Sequence, residues 1–412
     1  MPGQSKILID HQCPQCGAPA VFEETDHLFY CGYCRVKSFL ISRDYFRYIV
    51  PDSAPADKDL IYFPYWRFKG CMFSSTPRGI RHRIVDVSSM ALSADHFPLS
   101  LGLRTQTLRL KFLSPDTKGR FLNPAAPFRD VLGSVSRRFS HDLPRPLFLN
   151  SFIGETISMV YAPFYLQRGQ VIDAVLNRAA AVTGYGQIRL EDYPASEPAW
   201  RIRFIPALCP ACGWDIEGRR DSLAFACRNC DSMWLQHRDR FSPLEFAVMP
   251  SREDNAFYLP FYRIGADISG LELGTAADLI RLANLPRVIQ NSCRERKFYF
   301  WTPAFKIRPK ELLGFSTGLT LSQPGENWEK VLPGPESHPV TLPASEAAGL
   351  AKVVLAGFIR PVSMLNQLRQ VKITPQDYLL VYLPFESRGS ELYQSRFKMR
   401  LNRNVLEYAG YL

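Results

Sequence analysis

A chain of 412 residues is longer than one ordinary core organises, so its length predicts two to four domains. A hydrophobic content of 46% with 22% charge excludes wholesale disorder, and no apolar run approaches the roughly 18 residues of a membrane-spanning helix. The net charge of +11 is shared by both halves, with 23 basic and 17 acidic side chains in residues 1–196 and 27 and 22 in residues 197–412, which excludes a basic tail on a neutral body.

The N-terminal MPGQSKILIDHQC lacks the apolar segment of a signal peptide, so a cytoplasmic protein is expected. KILID reads as a short strand leading into Cys13-Pro14-Gln15-Cys16-Gly17, and Cys31-Gly32-Tyr33-Cys34 follows after 14 intervening residues. The pattern returns as RIRFI, Cys209-Pro210-Ala211-Cys212-Gly213 and Cys227-Arg228-Asn229-Cys230, again with 14 residues between the pairs. Each Cys-x-x-Cys presents two thiolates from one tight turn, and 14 residues suffice for a hairpin that brings both pairs to one ion. Disulfides do not suit a chain without an export signal, and a redox pair does not explain a second pair at a constant distance. Two structural Zn²⁺ ions are expected, with iron as the alternative; Arg35 and Asp231 replace the glycine of a rubredoxin-like knuckle after each second pair. With all four positions filled by protein, neither site keeps an opening for substrate.

These cysteine sets resemble the zinc-ribbon family, over about residues 6–46 and 202–242. The resemblance implies a small β-hairpin module that contacts nucleic acid or protein.

Next along the chain, VPDSAPADKD (50–59) reads as a linker, and IYFPYWRF (61–68) as a strand containing Tyr62-Phe63-Pro64-Tyr65. Because proline cannot donate to a ladder, this segment is expected at a sheet edge or a bulge, with its aromatics serving as core. A stacking platform for bases, flanked by arginine, is the rival reading. RIVDV (83–87) and TLRLKFL (107–113) read as strands; PFRDVLGSVSRRF (127–139) places Phe128, Val131, Leu132, Val135 and Phe139 on one helical face. A second strand, VYAPFYLQRGQ (160–170), carries Tyr161-Ala162-Pro163-Phe164. The polar stretch around Gly184-Tyr185-Gly186 and Glu191-Asp192 reads as a connection.

Each cysteine of the second set lies 196 residues after its counterpart, and that offset also maps Tyr62 to Tyr258, Pro64 to Pro260, Trp66 to Tyr262 and Arg67 to Arg263. The chain is therefore expected to be two copies of one unit. VYLPFESRGSE (381–391) answers VYAPFYLQRGQ, aligning Arg168-Gly169 with Arg388-Gly389, and Leu176-Asn177-Arg178 answers Leu401-Asn402-Arg403. The offset has then grown to 221 and 225, and SQPGENWEKVLPGPESHP (322–339) is the expected insertion, a surface loop. In the second copy TAADLIRLANL (275–285) and ASEAAGLAKVVLAGFI (344–359) are expected helices and KFYFW (297–301) a strand.

The expected fold class is α+β by internal duplication, each half a small zinc ribbon followed by a mixed domain. The expected domains are 1–48 and 203–247 for the ribbons, and 60–182 and 256–412 for the bodies. Catalysis has no visible carrier: the seven histidines are scattered, His82 and His96 meet Asp278 and Ser292 at the repeat offset, and no phosphate loop or nucleophile elbow occurs. His11 and His27 are expected in exposed loops, and the leftover Cys71 and Cys293 as buried free thiols. The function expected is that of a non-enzymatic adaptor binding another macromolecule, a protein first, through its two ribbons. Nucleic-acid binding is the alternative, and an enzyme with its site between the repeats a third. The expected contact residues are Arg35, Lys37, Arg228 and Arg238 at the ribbon tips, and Trp66, Arg67, Tyr262 and Arg263 on the Tyr-Pro strands.

Overall fold

The protein is described from a computed structural model covering residues 7–42, 44–92, 97–102, 108–180, 190–237, 240–253, 255–325, 327–360 and 362–407. His96, Arg238 and Gly184-Tyr185-Gly186 lie outside the described residues. Two compact units are formed: Met1–Lys69, Val85–Phe139 and Thr156–Ala207 make the first, and Gly70–Ile84, Ser140–Glu155 and Leu208–Leu412 the second. Both are mixed α+β and rich in strands.

The chain enters the first unit through strands β1 (Leu8–Gln12), β2 (Pro19–Glu23), β3 (Leu28–Tyr30), β4 (Lys37–Ile41) and β5 (Phe46–Ile49). There follow β6 (Ile61–Thr76), β7 (Gly79–Met90), β8 (Leu110–Phe112), β9 (Arg120–Leu122), helix α1 (Phe128–Phe139), β10 (Leu149–Gln167), β11 (Gln170–Asp173), β12 (Arg178–Ala179), β13 (Ala195–Ser196) and β14 (Arg203–Pro206). The main sheet runs β13-β9-β6-β10-β5-β8-β1-β2, and a small sheet runs β14-β4-β3. Alternation of large apolar side chains along β6 and β10 buries Phe63, Tyr65, Val160 and Phe164 in one core with Phe22, Tyr48 and Leu110.

RIRFI does form a strand, but β14 pairs with the first ribbon: Phe204 lies opposite Leu40 and Ile205 opposite Phe39. The segment that leads into the second ribbon thus completes the sheet of the first. His11 is not in an exposed loop. It lies in β1, half-buried, stacked on Phe204 with ring centroids 5.5 Å apart and edge-on to Phe112 at 5.4 Å.

The second unit continues with β15 (Ala224–Cys227), β16 (Ser232–His237), β17 (Arg240–Pro243), β18 (Phe246–Val248), β19 (Phe257–Ser269), helices α2 (Ala276–Leu282) and α3 (Asn291–Glu295), β20 (Phe300–Pro303) and α4 (Pro309–Ser322). Helices α5 (Ala344–Gly349) and α6 (Ala351–Phe358), strands β21 (Lys372–Arg388), β22 (Glu391–Gln394) and β23 (Met399–Asn402), and α7 (Arg403–Glu407) complete it. One sheet runs β20-β19-β21-β22-β23 with β18 also on β21, and the ribbon sheet runs β15-β16-β17. Helix α2 starts at a reciprocal cap, in which Thr275 accepts from the Asp278 N–H while the Asp278 carboxylate accepts from the Thr275 backbone. Helix α4 has only a weak signal in the sequence, diluted by its glycines and β-branched residues; Pro309 in the first turn starts it, and it ends at left-handed Gln323. Among its described residues the stretch 323–343 carries no helix or strand, yet it packs down: Tyr258 donates its N–H to Glu336 O at 2.9 Å and His338 returns one to Tyr258 O at 2.8 Å.

The registers of the two copies coincide. Leu28 faces Phe39 and Tyr30 faces Lys37 in the first ribbon, and Ala224 faces Leu235 and Ala226 faces Met233 in the second, each 196 residues on. Further along, β5 runs parallel to β10 with Tyr48 opposite Val160, and β18 runs parallel to β21 with Ala247 opposite Val381. Pairing of Tyr165 with Ile172, and of Glu386 with Tyr393, holds the offset at 221. The offset stays 221 to the end of the hairpins, where Ile172 faces Ala179 and Tyr393 faces Arg400. Two expected alignments are corrected by this register. Arg168 corresponds to Gly389, both with positive φ, and Asn177 (φ 49°) corresponds to Lys398 (φ 53°).

The Tyr-Pro segments do not lie in edge strands, and in the second unit the ladder passes Pro260 and Pro384 without a bulge. β6, β10, β19 and β21 are interior strands, and in the second unit two of them pair directly, Tyr258 opposite Pro384 and Pro260 opposite Tyr382. Each proline instead sits at the end of a ladder. The Pro64, Pro163 and Pro260 carbonyls accept from the N–H groups of Ala91, Ala174 and Ala304, at 3.0, 3.1 and 2.9 Å, and Pro384 O accepts from Gln394 Nε2 at 3.1 Å. Within an extended strand a residue's N and O point the same way, so each missing N–H faces a position where the neighbouring ladder has already stopped.

Candidate metal centres

Each ribbon brings its four cysteine Sγ atoms within 4.8 Å of one another. In the first, Cys13 Sγ lies 3.7 Å from Cys34 Sγ and Cys16 Sγ lies 3.7 Å from Cys31 Sγ; in the second, the corresponding distances are 3.7 and 3.5 Å. A tetrahedron with metal–sulfur arms of about 2.3 Å has edges of about 3.8 Å, so both sets fit one ion of that size. In each set the first cysteine of each pair is buried and the second is exposed: Cys13, Cys31, Cys209 and Cys227 against Cys16, Cys34, Cys212 and Cys230.

The knuckles follow from local backbone bonding. Gly17 N–H donates to Cys13 O at 2.9 Å and Arg35 N–H to Cys31 O at 3.0 Å, folding each pair into a turn; Gly213 N–H does the same to Cys209 O at 2.8 Å. These turns end in left-handed residues, namely Gly17 (φ 73°), Arg35 (φ 62°), Gly213 (φ 73°) and Asp231 (φ 49°). Arg35 and Asp231 thus adopt the same backbone as the glycines whose absence sets the second pairs apart in sequence.

The electrostatics call for a cation. Cys31 is brought down to about 6, chiefly because the Cys34 N–H stabilises its thiolate. Cys34 is pushed up to about 12: the Val36 N–H favours its thiolate, but burial and the sulfurs of Cys16, Cys31 and Cys13 outweigh it. Burial raises Cys209, yet the N–H groups of Cys212 and Ala211 and the Ser232 hydroxyl bring it down to about 6. Four thiolates at these separations repel unless a positive ion sits among them, and that is the donor set a structural metal uses.

Sequence reasoning missed Ser232. Its Oγ lies 3.0 Å from Cys230 Sγ and 3.7 Å from Cys209 Sγ, and it accepts the Trp234 Nε1–H at 2.9 Å, so it orients two ligands from outside the sulfur shell. The first ribbon has Val36 at this register, so no repeat signal marks it.

The expected contact residues divide. Arg35, Lys37 and Arg228 are exposed, and Arg228 Nε donates to Glu217 Oε2 at 2.9 Å. Arg238 lies outside the described residues. Trp66, Arg67 and Tyr262 are inside the fold, 3%, 2% and 0% exposed, which corrects their reading as a stacking or phosphate surface. Trp66 donates to Ala126 O at 2.8 Å, Arg67 pairs with the buried Glu24 and the half-buried Asp86 carboxylates, and Tyr262 donates to Leu342 O at 3.2 Å. Arg263 is half-buried with its guanidinium 4.3 Å from the centroid of the Tyr299 ring. Cys71 is buried, which pushes its thiol up to about 12, whereas Cys293 is only half-buried.

Large side chains do stand exposed beside the knuckles: Tyr30 and Tyr33 in the first ribbon are 52% and 74% exposed, and Trp214 in the second is 63% exposed. Among the described residues no helix is long and apolar enough to cross a membrane. In comparisons with known proteins, no family model, curated protein or solved structure matches this chain.

Proposed function

We infer that this chain is a non-enzymatic adaptor whose two ribbons, each closed around one structural Zn²⁺, hold aromatic side chains out to a protein partner. The observation that carries the reading is the pairing of a closed tetrathiolate with exposed rings, Tyr33 in one ribbon and Trp214 in the other. Large aromatics held rigidly at a surface are the residues on which protein interfaces concentrate their binding energy. A closed set of four thiolates leaves no ligand position for substrate, which supports a structural role for the metal. Ligands that must remain reduced suit a reducing compartment such as the cytoplasm.

Charge favours protein over nucleic acid. Four thiolates around a dication carry a net charge of −2, which Arg35 and Lys37 offset in the first ribbon. In the second ribbon Arg228 is already paired with Glu217. The first ribbon's tip is thereby left without the cationic excess that phosphate binding uses.

Elemental analysis is expected to give two zinc ions per chain, and a coloured iron protein overturns the assignment. Tyr33→Ala with Trp214→Ala is expected to abolish co-purification of the partner at both about 50 mM and about 500 mM salt, with zinc content unchanged. Binding of mixed DNA or RNA at about 50 mM salt that collapses steeply as salt rises would establish the nucleic-acid reading instead.

A further inference from the structure

Within the second unit, a cleft of about 490 Å³ opens between the ribbon hairpin and the stretch containing Pro333 to Val340. This volume lies inside the range of roughly 300–1,000 Å³ that small-molecule sites occupy. The repeat explains why the space exists. Ala224 and Ala226 stand in its lining, where the same register of the first ribbon carries Leu28 and Tyr30. Gly218 replaces Phe22 in turn, and a Cβ there would come within 2.5 Å of the Phe225 ring. The second copy has small side chains where the first has large ones, and its Pro-rich stretch supplies the opposite wall.

The polar groups converge on one chemistry. His338 lines the cleft and is 8% exposed, with Nδ1 3.0 Å from the Pro339 carbonyl oxygen. A carbonyl only accepts, so Nδ1 carries the proton and Nε2 of the neutral ring is an acceptor. Burial holds this imidazole down to about 4, with the Arg219 charge acting in the same direction, so it stays neutral at pH 7. Arg219 is exposed at the rim and forms no ion pair among the described residues, and Arg228 stands beside it, shared with Glu217. The remaining lining combines prolines, alanines and the Met233 thioether, surfaces that suit the faces of a flat ring, with the Ser222 and Ser337 hydroxyls, Tyr382 and the Glu217 carboxylate that Arg228 shares.

We propose that this cleft binds a small organic anion carrying a planar ring, with its phosphate or carboxylate on Arg219 and an N–H or O–H of the ring donating to His338 Nε2. The site does not depend on the protein-partner reading of the ribbon tips. The test is calorimetric titration of the zinc-loaded full chain with AMP, GMP, CMP and UMP as the phosphate arm and 4-hydroxybenzoate as the carboxylate arm. At least one arm is expected to bind with one-to-one stoichiometry and a Kd below about 1 mM. Ala226→Tyr, which restores the residue of the first copy, is expected to abolish binding with zinc content and circular dichroism unchanged. Arg219→Ala is expected to weaken it roughly tenfold to a hundredfold. If Ala226→Tyr loses zinc, Ala224→Leu takes its place. Absence of binding in both arms overturns the proposal, and so does affinity that survives both the filling variant and Arg219→Ala.

Discussion

Glu24 Oε2 lies 3.2 Å from Arg67 Nη2, and the two side chains are only 6% and 2% exposed. Arg67 Nη1 also reaches Asp86 Oδ1 at 2.9 Å, and Ser158 Oγ donates to Glu24 Oε1 at 3.3 Å. Glu24 belongs to the connection between β2 and β3, Arg67 to β6, so this pair ties the first ribbon to the main sheet of its own unit. At the repeat offset the second copy has Arg220 and Arg263, two cations that cannot pair, and there Arg263 rests on Tyr299. Removing one partner of a buried pair costs more than the pair contributes, because a charge is stranded away from water. Arg67→Met removes the cation beside the buried Glu24 carboxylate and is expected to cost about 3–5 kcal/mol. Glu24→Gln leaves Arg67 with Asp86 and an amide oxygen, and is expected to cost clearly less. Urea denaturation of the zinc-loaded protein checks the order, and an Arg67→Met cost under about 1 kcal/mol would contradict this account.

Trp66 offers a second test, since core and binding surface predict different phenotypes. Its ring lies 4.7 Å from Tyr45 and 5.9 Å from Phe128, and its indole N–H is satisfied by Ala126 O. Trp66→Ala is expected to destabilise by about 3–5 kcal/mol. Trp66→Phe keeps most of the packing and strands the carbonyl, with an expected cost of about 1–3 kcal/mol. Thermal and urea melts measure both; loss of partner binding with unchanged stability would return Trp66 to the surface.

The knuckle geometry makes a signed prediction. Gly213 has a φ of 73°, and no atom lies within 4 Å of the place a Cβ would take, so Gly213→Ala meets backbone strain alone, about 1–2 kcal/mol. Asp231 occupies the equivalent left-handed position with a side chain, at φ 49°. Asp231→Gly is therefore expected to be neutral or stabilising. Zinc retention under a competing chelator ranks the variants, and a stabilised Gly213→Ala would refute the geometry.

His338 sets a pH dependence. Its folded-state pKa is lowered from 6.5 to about 4 by burial first, so the unfolded chain binds the proton more readily than the folded one. Stability contributed by the neutral ring is complete above about pH 6.5, declines as pH falls and is exhausted near pH 4, a loss of about 3 kcal/mol. The protein and its His338→Gln variant should differ in the slope of stability against pH within this window and run parallel above it. Identical slopes would show that His338 titrates normally. Subtracting the variant removes any acid release of metal from the cysteine sets, which both share.

The parts of this molecule written in local spacing were legible. Four cysteines at two-residue and 14-residue intervals describe a knuckle pair whatever surrounds them, because the metal site is assembled from adjacent turns and one hairpin. A constant offset of 196 identifies the duplication for the same reason, and helices such as 128–139 show in their own periodicity. Ser232 was not legible, since its role depends on facing Cys230 and Cys209 rather than on any motif. Nor was the hairpin alignment after Pro163 and Pro384, where Arg-Gly and Leu-Asn-Arg matches drew the offset away from the pairing that the ladders impose.

By itself, then, the sequence determined the two tetrathiolate sets, the α+β class and the doubling of one unit, all properties of residues near one another in the chain. The tertiary structure decided which segments meet. It put the prolines at ladder ends inside the sheets, gave β14 to the first ribbon's sheet, sealed Trp66 and Arg67 away from solvent, and opened a cleft where Ala226 replaces Tyr30. Those outcomes depend on which distant surfaces bury one another and which backbone groups remain unpaired, and such long-range accounting is not expressed in any local pattern.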